Sequence, residues 1–77
     1  MIDYVKTTKE IISKIAGTEV EDIHDESDFI EDLNIGEIEL HEIFGEVEER
    51  FDLDLTEEKE EFETFGDLIG ALHEKLD

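Results

Sequence analysis

The sequence contains no cysteine, which excludes a disulfide scaffold and a cysteine-based zinc site. Proline and tryptophan are also absent. Cations are scarce: 6 Lys and Arg stand against 26 Asp and Glu, a formal net charge of −20. So few cations cannot offset a phosphate backbone, and direct nucleic-acid binding is excluded as a first reading. Long apolar runs are missing too. None approaches the roughly 20 residues needed to span a bilayer, so no membrane insertion is expected. Met1-Ile2-Asp3-Tyr4 carries neither the basic nor the apolar block of a signal peptide, and a cytoplasmic location is expected.

What is present is a short, patterned, acidic chain. Its 77 residues predict one domain spanning 1–77, expected as a monomer. Charged residues make up 42% and hydrophobic ones 38%. Such charge is the usual mark of disorder, but here the apolar residues are regularly spaced, which predicts a small folded domain with a modest core. Carboxylate repulsion should make it more stable in salt or with divalent cations. An acidic surface should find basic partner surfaces.

Apolar spacing is helical in three places. The first runs through Ile2, Val5, Ile12, Ile15 and Ala16 and ends at Gly17. The second runs through Leu40, Ile43, Phe44, Val47 and Phe51. The third, through Phe65, Leu68, Ile69, Leu72 and Leu76, opens with a Thr64-x-x-Asp67 start signal. A long loop, about residues 17 to 35, joins the first two, with Ile23, Phe29, Ile30 and Leu33 as expected core anchors. A short segment, about 57 to 62, reads as a fourth helix, with Thr56 as N-cap and Phe62 as core contact. No segment reads as a strand. The predicted fold is all-α: a four-helix bundle with three long helices, one short helix and a long first loop.

This layout, with Phe29-Ile30-Glu31-Asp32-Leu33, resembles the acyl carrier protein family. Members typically read Phe-x-Glu-Asp-Leu-Gly-x-Asp-Ser-Leu here, followed by a helix with Val-Glu-Leu that ends Glu-Glu-x-Phe. This chain has Leu40-His41-Glu42-Ile43 and then Glu48-Glu49-Arg50-Phe51. The family's Thr-Val-Gly-Asp start to its last helix is similar to Thr64-Phe65-Gly66-Asp67, and Gly17 falls where the family ends its first helix. The resemblance runs nearly the whole chain without an obvious gap.

The departure lies at the centre of the family's chemistry. Its Asp-Ser-Leu attachment motif falls on Gly36-Glu37-Ile38, which puts Glu37 at the position of the attachment serine. In the family that hydroxyl holds a 4′-phosphopantetheine arm as a phosphodiester at a helix mouth, where the dipole and free N–H groups favour phosphate. A carboxylate would give a labile mixed anhydride instead. The resemblance therefore implies an acidic interaction module without an arm, so that no cofactor is expected. The alternative is a working acyl carrier in fatty-acid, lipid or polyketide biosynthesis, with 4′-phosphopantetheine on another residue such as Ser27, or with Glu37 a substitution. A cation-binding structural bundle is a third reading.

Glu37 also has a local reading, closing a capping box with Asn34 as N-cap. A sharper one has it mimic the phosphodiester charge of a loaded carrier. Glu39, Glu42, Glu46 and Glu49, three and four residues apart, form one acidic stripe. It reads either as a solvated face or, through the resemblance, as a docking stripe for a basic partner such as a lipid- or polyketide-pathway enzyme. Ile38 matches the family's Leu in this surface, whereas His41 and Gly45 stand where the family has apolar residues. Asp52 to Glu63 places acids at EF-hand ligand positions, but Glu57 stands where the turn needs Gly, so no specific metal site is expected. Glu37 and His41, one turn apart, are two candidate ligands and too few for a site. His24 and His73 read as isolated. No nucleophile–base constellation or phosphate loop appears, and no enzymatic activity is expected.

Overall fold

The computed structural model describes residues 3–76. Three α-helices form: α1 Tyr4–Ala16, α2 Glu37–Phe51 and α3 Phe65–Leu76. Two short 3₁₀ turns, Val20–Asp22 and Lys59–Glu61, lie in the connections. The described residues contain no strand, only an isolated antiparallel bridge between Asp28 and Thr64.

Each helix follows its apolar spacing. In α1, Asp3 caps the start by accepting from the Lys6 N–H at 3.0 Å. Gly17 ends it at φ 77°, a left-handed conformation that suits glycine, with its N–H on the Ser13 carbonyl at 2.9 Å. Ile11 and Ile12 are buried beside Thr8, whose hydroxyl donates to the Tyr4 carbonyl at 2.6 Å. In α2, Leu40, Ile43, Phe44 and Val47 are buried at offsets of three, four and seven. In α3, Phe65, Leu68 and Leu72 are buried. Ile2, assigned to the first apolar stripe, lies outside the described residues. Leu76 was expected in the third stripe, but it ends α3 at the margin of the core and is 38% exposed.

The four-helix expectation is corrected to three. The segment after Thr56 makes turns and the three-residue 3₁₀ piece Lys59–Glu61. Its bonds run over three residues, from Glu61 N–H to Glu58 O and from Phe62 N–H to Lys59 O. Four glutamates lie between Thr56 and Phe62, and so short a piece cannot recover the cost of starting a helix. Thr56 does not cap it. Its N–H and hydroxyl both turn to the Asp54 carboxylate, and Glu58 stands at the cap position without a side-chain bond. Phe62 does reach the core, half-buried, with its ring edge-to-face on Phe44 at 5.6 Å.

The long loop is part of the core. Ile23, Phe29 and Ile35 are each at most 2% exposed, and burying a side chain of this size is favourable by roughly 1.5–3 kcal/mol. Ile30, expected as an anchor, is instead 50% exposed. The cause is a tight turn. The Asp28 carboxylate accepts from the N–H groups of Ile30 at 2.9 Å and Glu31 at 2.8 Å, and Asp32 accepts from the Asp28 N–H at 2.8 Å. Ile30 therefore rides on the outside of the turn. The Ile35 N–H then returns to the Phe29 carbonyl at 2.9 Å, which brings Ile35 inward.

Side-chain links tie the helices together. α1 packs on α2, and Lys9 Nζ of α1 lies 5.8 Å from the Phe65 ring centroid in α3. Tyr4 and His73 hydrogen-bond at 2.8 Å between Oη and Nδ1, so His73 is not isolated as its sequence position suggested. Lys75 pairs with Glu58 at 3.1 Å, joining α3 to the connection before it.

Candidate functional site at the start of α2

α2 starts later than its sequence suggested. Asn34 was expected as N-cap with Glu37 reaching back. Asn34 instead adopts φ 58°, a left-handed conformation that asparagine tolerates better than most residues. Ile35 is drawn into the core by its bond to Phe29. Gly36 becomes the N-cap, and the reaching carboxylate is Glu39, whose Oε1 accepts from the Gly36 N–H at 3.3 Å. The expected capping box of Asn34 and Glu37 does not form; in its place stands the single bond from the Gly36 N–H to Glu39, with no N-cap side chain to return it. Glu37 is the first helical residue and is exposed. Its charge is favourable beside the helix N-terminus, by about 0.3–1 kcal/mol.

The stripe on α2 is not uniform. Glu39 is half-buried and engaged in the cap. Glu46 is half-buried, with its carboxylate 3.8 Å from the Arg50 guanidinium one turn on. Glu42 and Glu49 are exposed. Ile38 precedes Glu42 by four residues on the same face and is 78% exposed, an apolar side chain held in water. Ile38, Glu42 and Glu49 thus form a single outward row.

On the other side of Glu37 lies a cleft of about 530 Å³. The turn at Asp28–Glu31, the first half of α2 and the segment from Lys59 to Glu63 enclose it. Ile30, Leu40 and Phe62 give it apolar lining. Behind them, Phe44 packs edge-to-face on Phe29 at 5.9 Å and on Phe62 at 5.6 Å. Glu37 and His41 both border it. Sequence reasoning missed the cleft. Its signal was the pair Asp28 and Asp32, which bend the loop tightly enough to lift Ile30 onto the rim.

The remaining candidates lie elsewhere. Ser27 is 7% exposed, and its hydroxyl accepts from the His24 N–H at 3.0 Å. Ser13, the chain's other serine, is half-buried within α1. The Asp52–Glu63 window folds as the α2 C-cap, turns and a 3₁₀ piece; in it the Thr56 bonds hold the Asp54 carboxyl below the usual carboxylate range. Among the described residues, no group of three or more His, Asp or Glu is placed to hold a metal ion.

An acyl carrier protein of Chlamydia muridarum (strain MoPn / Nigg) is 37% identical over 68 residues, 87% of this chain and 88% of that protein. The chain belongs to the acyl carrier protein family. An acyl carrier protein of Chlamydia trachomatis serovar D shares the same identity and coverage. One of Borreliella burgdorferi (strain ZS7) is 34% identical over 68 residues, 87% of this chain and 85% of that protein. No family model matches the chain. The sequence resemblance puts the family's cofactor attachment at the start of α2. A 4′-phosphopantetheine arm needs a hydroxyl oxygen for its phosphodiester. The first turn offers Glu37, Ile38 and Glu39, so the residues at this helix mouth do not fit that attachment. No helix among the described residues is long and apolar enough to cross a membrane.

Proposed function

We propose that this protein serves acyl biosynthesis as an acyl carrier protein, a non-enzymatic member that works by docking on basic surfaces of pathway enzymes. The observation that carries this reading is its similarity, along most of its length, to proteins named acyl carrier protein. The outward row on α2 supports it in physical terms. Ile38 supplies an apolar contact, and Glu42 and Glu49 supply charges that draw a cationic partner quickly at low salt. Glu46, already near Arg50, contributes less, and Glu39 acts chiefly through the cap. The proposed setting is a cytoplasmic monomer meeting lipid- or polyketide-pathway enzymes.

In the carrier role the cofactor is 4′-phosphopantetheine, and the chain must offer it a hydroxyl away from the α2 mouth. Ser27 would have to leave its buried bond to His24 to serve. Glu37 favours a second reading within the same family. Its carboxylate stands at the helix mouth in place of an arm's phosphodiester charge, and the chain acts by docking alone.

Intact-mass measurement after incubation with coenzyme A and a broad-specificity phosphopantetheinyl transferase separates these readings. A gain of one arm's mass by the native chain establishes the loaded carrier, and peptide mapping finds the residue. No gain by the native chain, with a gain by Glu37→Ser, establishes a docking module on a competent carrier scaffold. No gain by either chain overturns the carrier-type role.

A further inference from the structure

We propose that the cleft beside Glu37 is a socket for one arginine side chain of a partner protein, separate from the outward row on α2. The inference rests on the docking of a basic partner proposed above and adds where one of its cations goes. Two properties of the cleft point there. Its apolar lining of Ile30, Leu40 and Phe62 offers a path for an aliphatic stem, and half-exposed Ile30 leaves apolar surface at the entrance. Its charged groups are one-sided: Asp28, Glu31, Glu37, Glu60 and Glu63 against a single lysine, Lys59, and His41. An apolar ligand with an anionic head would meet these carboxylates unfavourably. An arginine matches both features, because its stem buries against apolar surface while its guanidinium keeps a fork of donors for carboxylates. The Asp28 carboxylate is already engaged with the N–H groups of Ile30 and Glu31, which leaves Glu31, Glu37, Glu60 and Glu63 as the receiving charges.

Lys59 is the resident competitor. It is the one lysine lining the cleft, and its removal should strengthen the socket.

The test is an amide-resolved NMR titration of the full chain at low salt. The probe is the blocked pentapeptide Ala-Ala-Arg-Ala-Ala, compared with analogues carrying citrulline or norleucine at the centre. The arginine peptide should shift the signals of Ile30, Glu31, Glu37, His41 and Phe62, and the citrulline and norleucine peptides should bind far more weakly. Reversing an exposed rim charge, by Glu31→Lys or Glu60→Lys, should weaken binding about tenfold, with Glu42→Lys having little effect on the cleft signals. Lys59→Gln should tighten it by about threefold. Shifts confined to Glu42, Glu46 and Glu49 would overturn the socket and leave docking on α2 intact. Equal binding of the citrulline or norleucine peptide would also overturn it, as an apolar site without charge selection. No shift anywhere would overturn the socket and count against the docking reading as well.

Discussion

The starts of α2 and α3 use the same local chemistry and end in opposite situations. At α3, Asp67 Oδ2 accepts from the N–H groups of Glu63 at 3.0 Å and Thr64 at 3.1 Å, and the Asp67 N–H donates to Thr64 Oγ1 at 3.2 Å. The next residues are joined to the long loop, Phe65 N–H to Ser27 O at 3.0 Å and Gly66 N–H to Asp25 O at 2.8 Å. At α2 the N-cap is a glycine, and the Glu39 reach is the longer bond, 3.3 Å. Glu37 and Ile38 stand in solvent there. The α3 start anchors the loop, whereas the α2 start presents an acid and an apolar side chain to whatever arrives. A helix N-terminus thus fixes the fold where backbone covers it and stays open to solvent where nothing does.

The largest expected effect separates the two isoleucines flanking the α2 start. Ile35→Ala should cost about 3 kcal/mol, because Ile35 is only 2% exposed. Ile38→Ala should stay within about 0.5 kcal/mol. Urea unfolding of both variants reads the contrast, and similar losses would break it.

The glycines come next. A Cβ on Gly66 would lie 2.8 Å from the Asp25 carbonyl oxygen, a backbone atom that cannot swing aside. Gly66→Ala should therefore cost about 2 kcal/mol by thermal unfolding. A Cβ on Gly36 meets only Glu39 Oε1, at 3.9 Å, and a side chain fits there.

Asp67→Asn should cost about 1 kcal/mol near neutral pH. The N–H groups of Glu63 and then Thr64, with the Thr64 hydroxyl, hold the Asp67 carboxyl below its ordinary value of 3.8. A lowered folded value means stability that is present above the unfolded value and lost as pH falls through the folded one. The variant and the native chain should therefore converge in acid, as followed by denaturant midpoints against pH. A difference that persists at low pH would assign the effect to packing rather than charge.

The smallest effect would make α2 start more like α3. Gly36→Ser should add roughly a few tenths of a kcal/mol by supplying the missing cap oxygen. Its sharper readout is amide hydrogen exchange at Ile38 and Glu39, which should slow if the first turn is the loose one.

The end of α1 at Gly17 and the start of α3 at Thr64 and Asp67 were legible because each is a contact between residues a few positions apart. The N-terminus of α2 was not. Asn34 and Glu37 have the spacing of a cap, but Ile35 is claimed by Phe29 across the loop, and the helix waits until Gly36. Ile30 was misplaced for a related reason. An apolar residue in a loop carries no periodicity to say which way it faces, and the Asp28 and Asp32 carboxylates turned it outward. The fourth helix failed because a run of acids and a diverted Thr56 left only a turn.

By itself, the sequence determined the acidic character, the three amphipathic helices and the family resemblance, since composition, helical spacing and ordered motifs are local or linear properties. Only the tertiary structure decided that Glu39 rather than Glu37 closes the α2 cap, that Ile35 is inside and Ile30 outside, and that loop, helix and turn enclose a cleft beside Glu37. The cap and the turn at Ile30 depend on which of several short-range bonds survives once Phe29 and Ile35 pack into the core, and the cleft depends on segments far apart in the chain that only the core brings together.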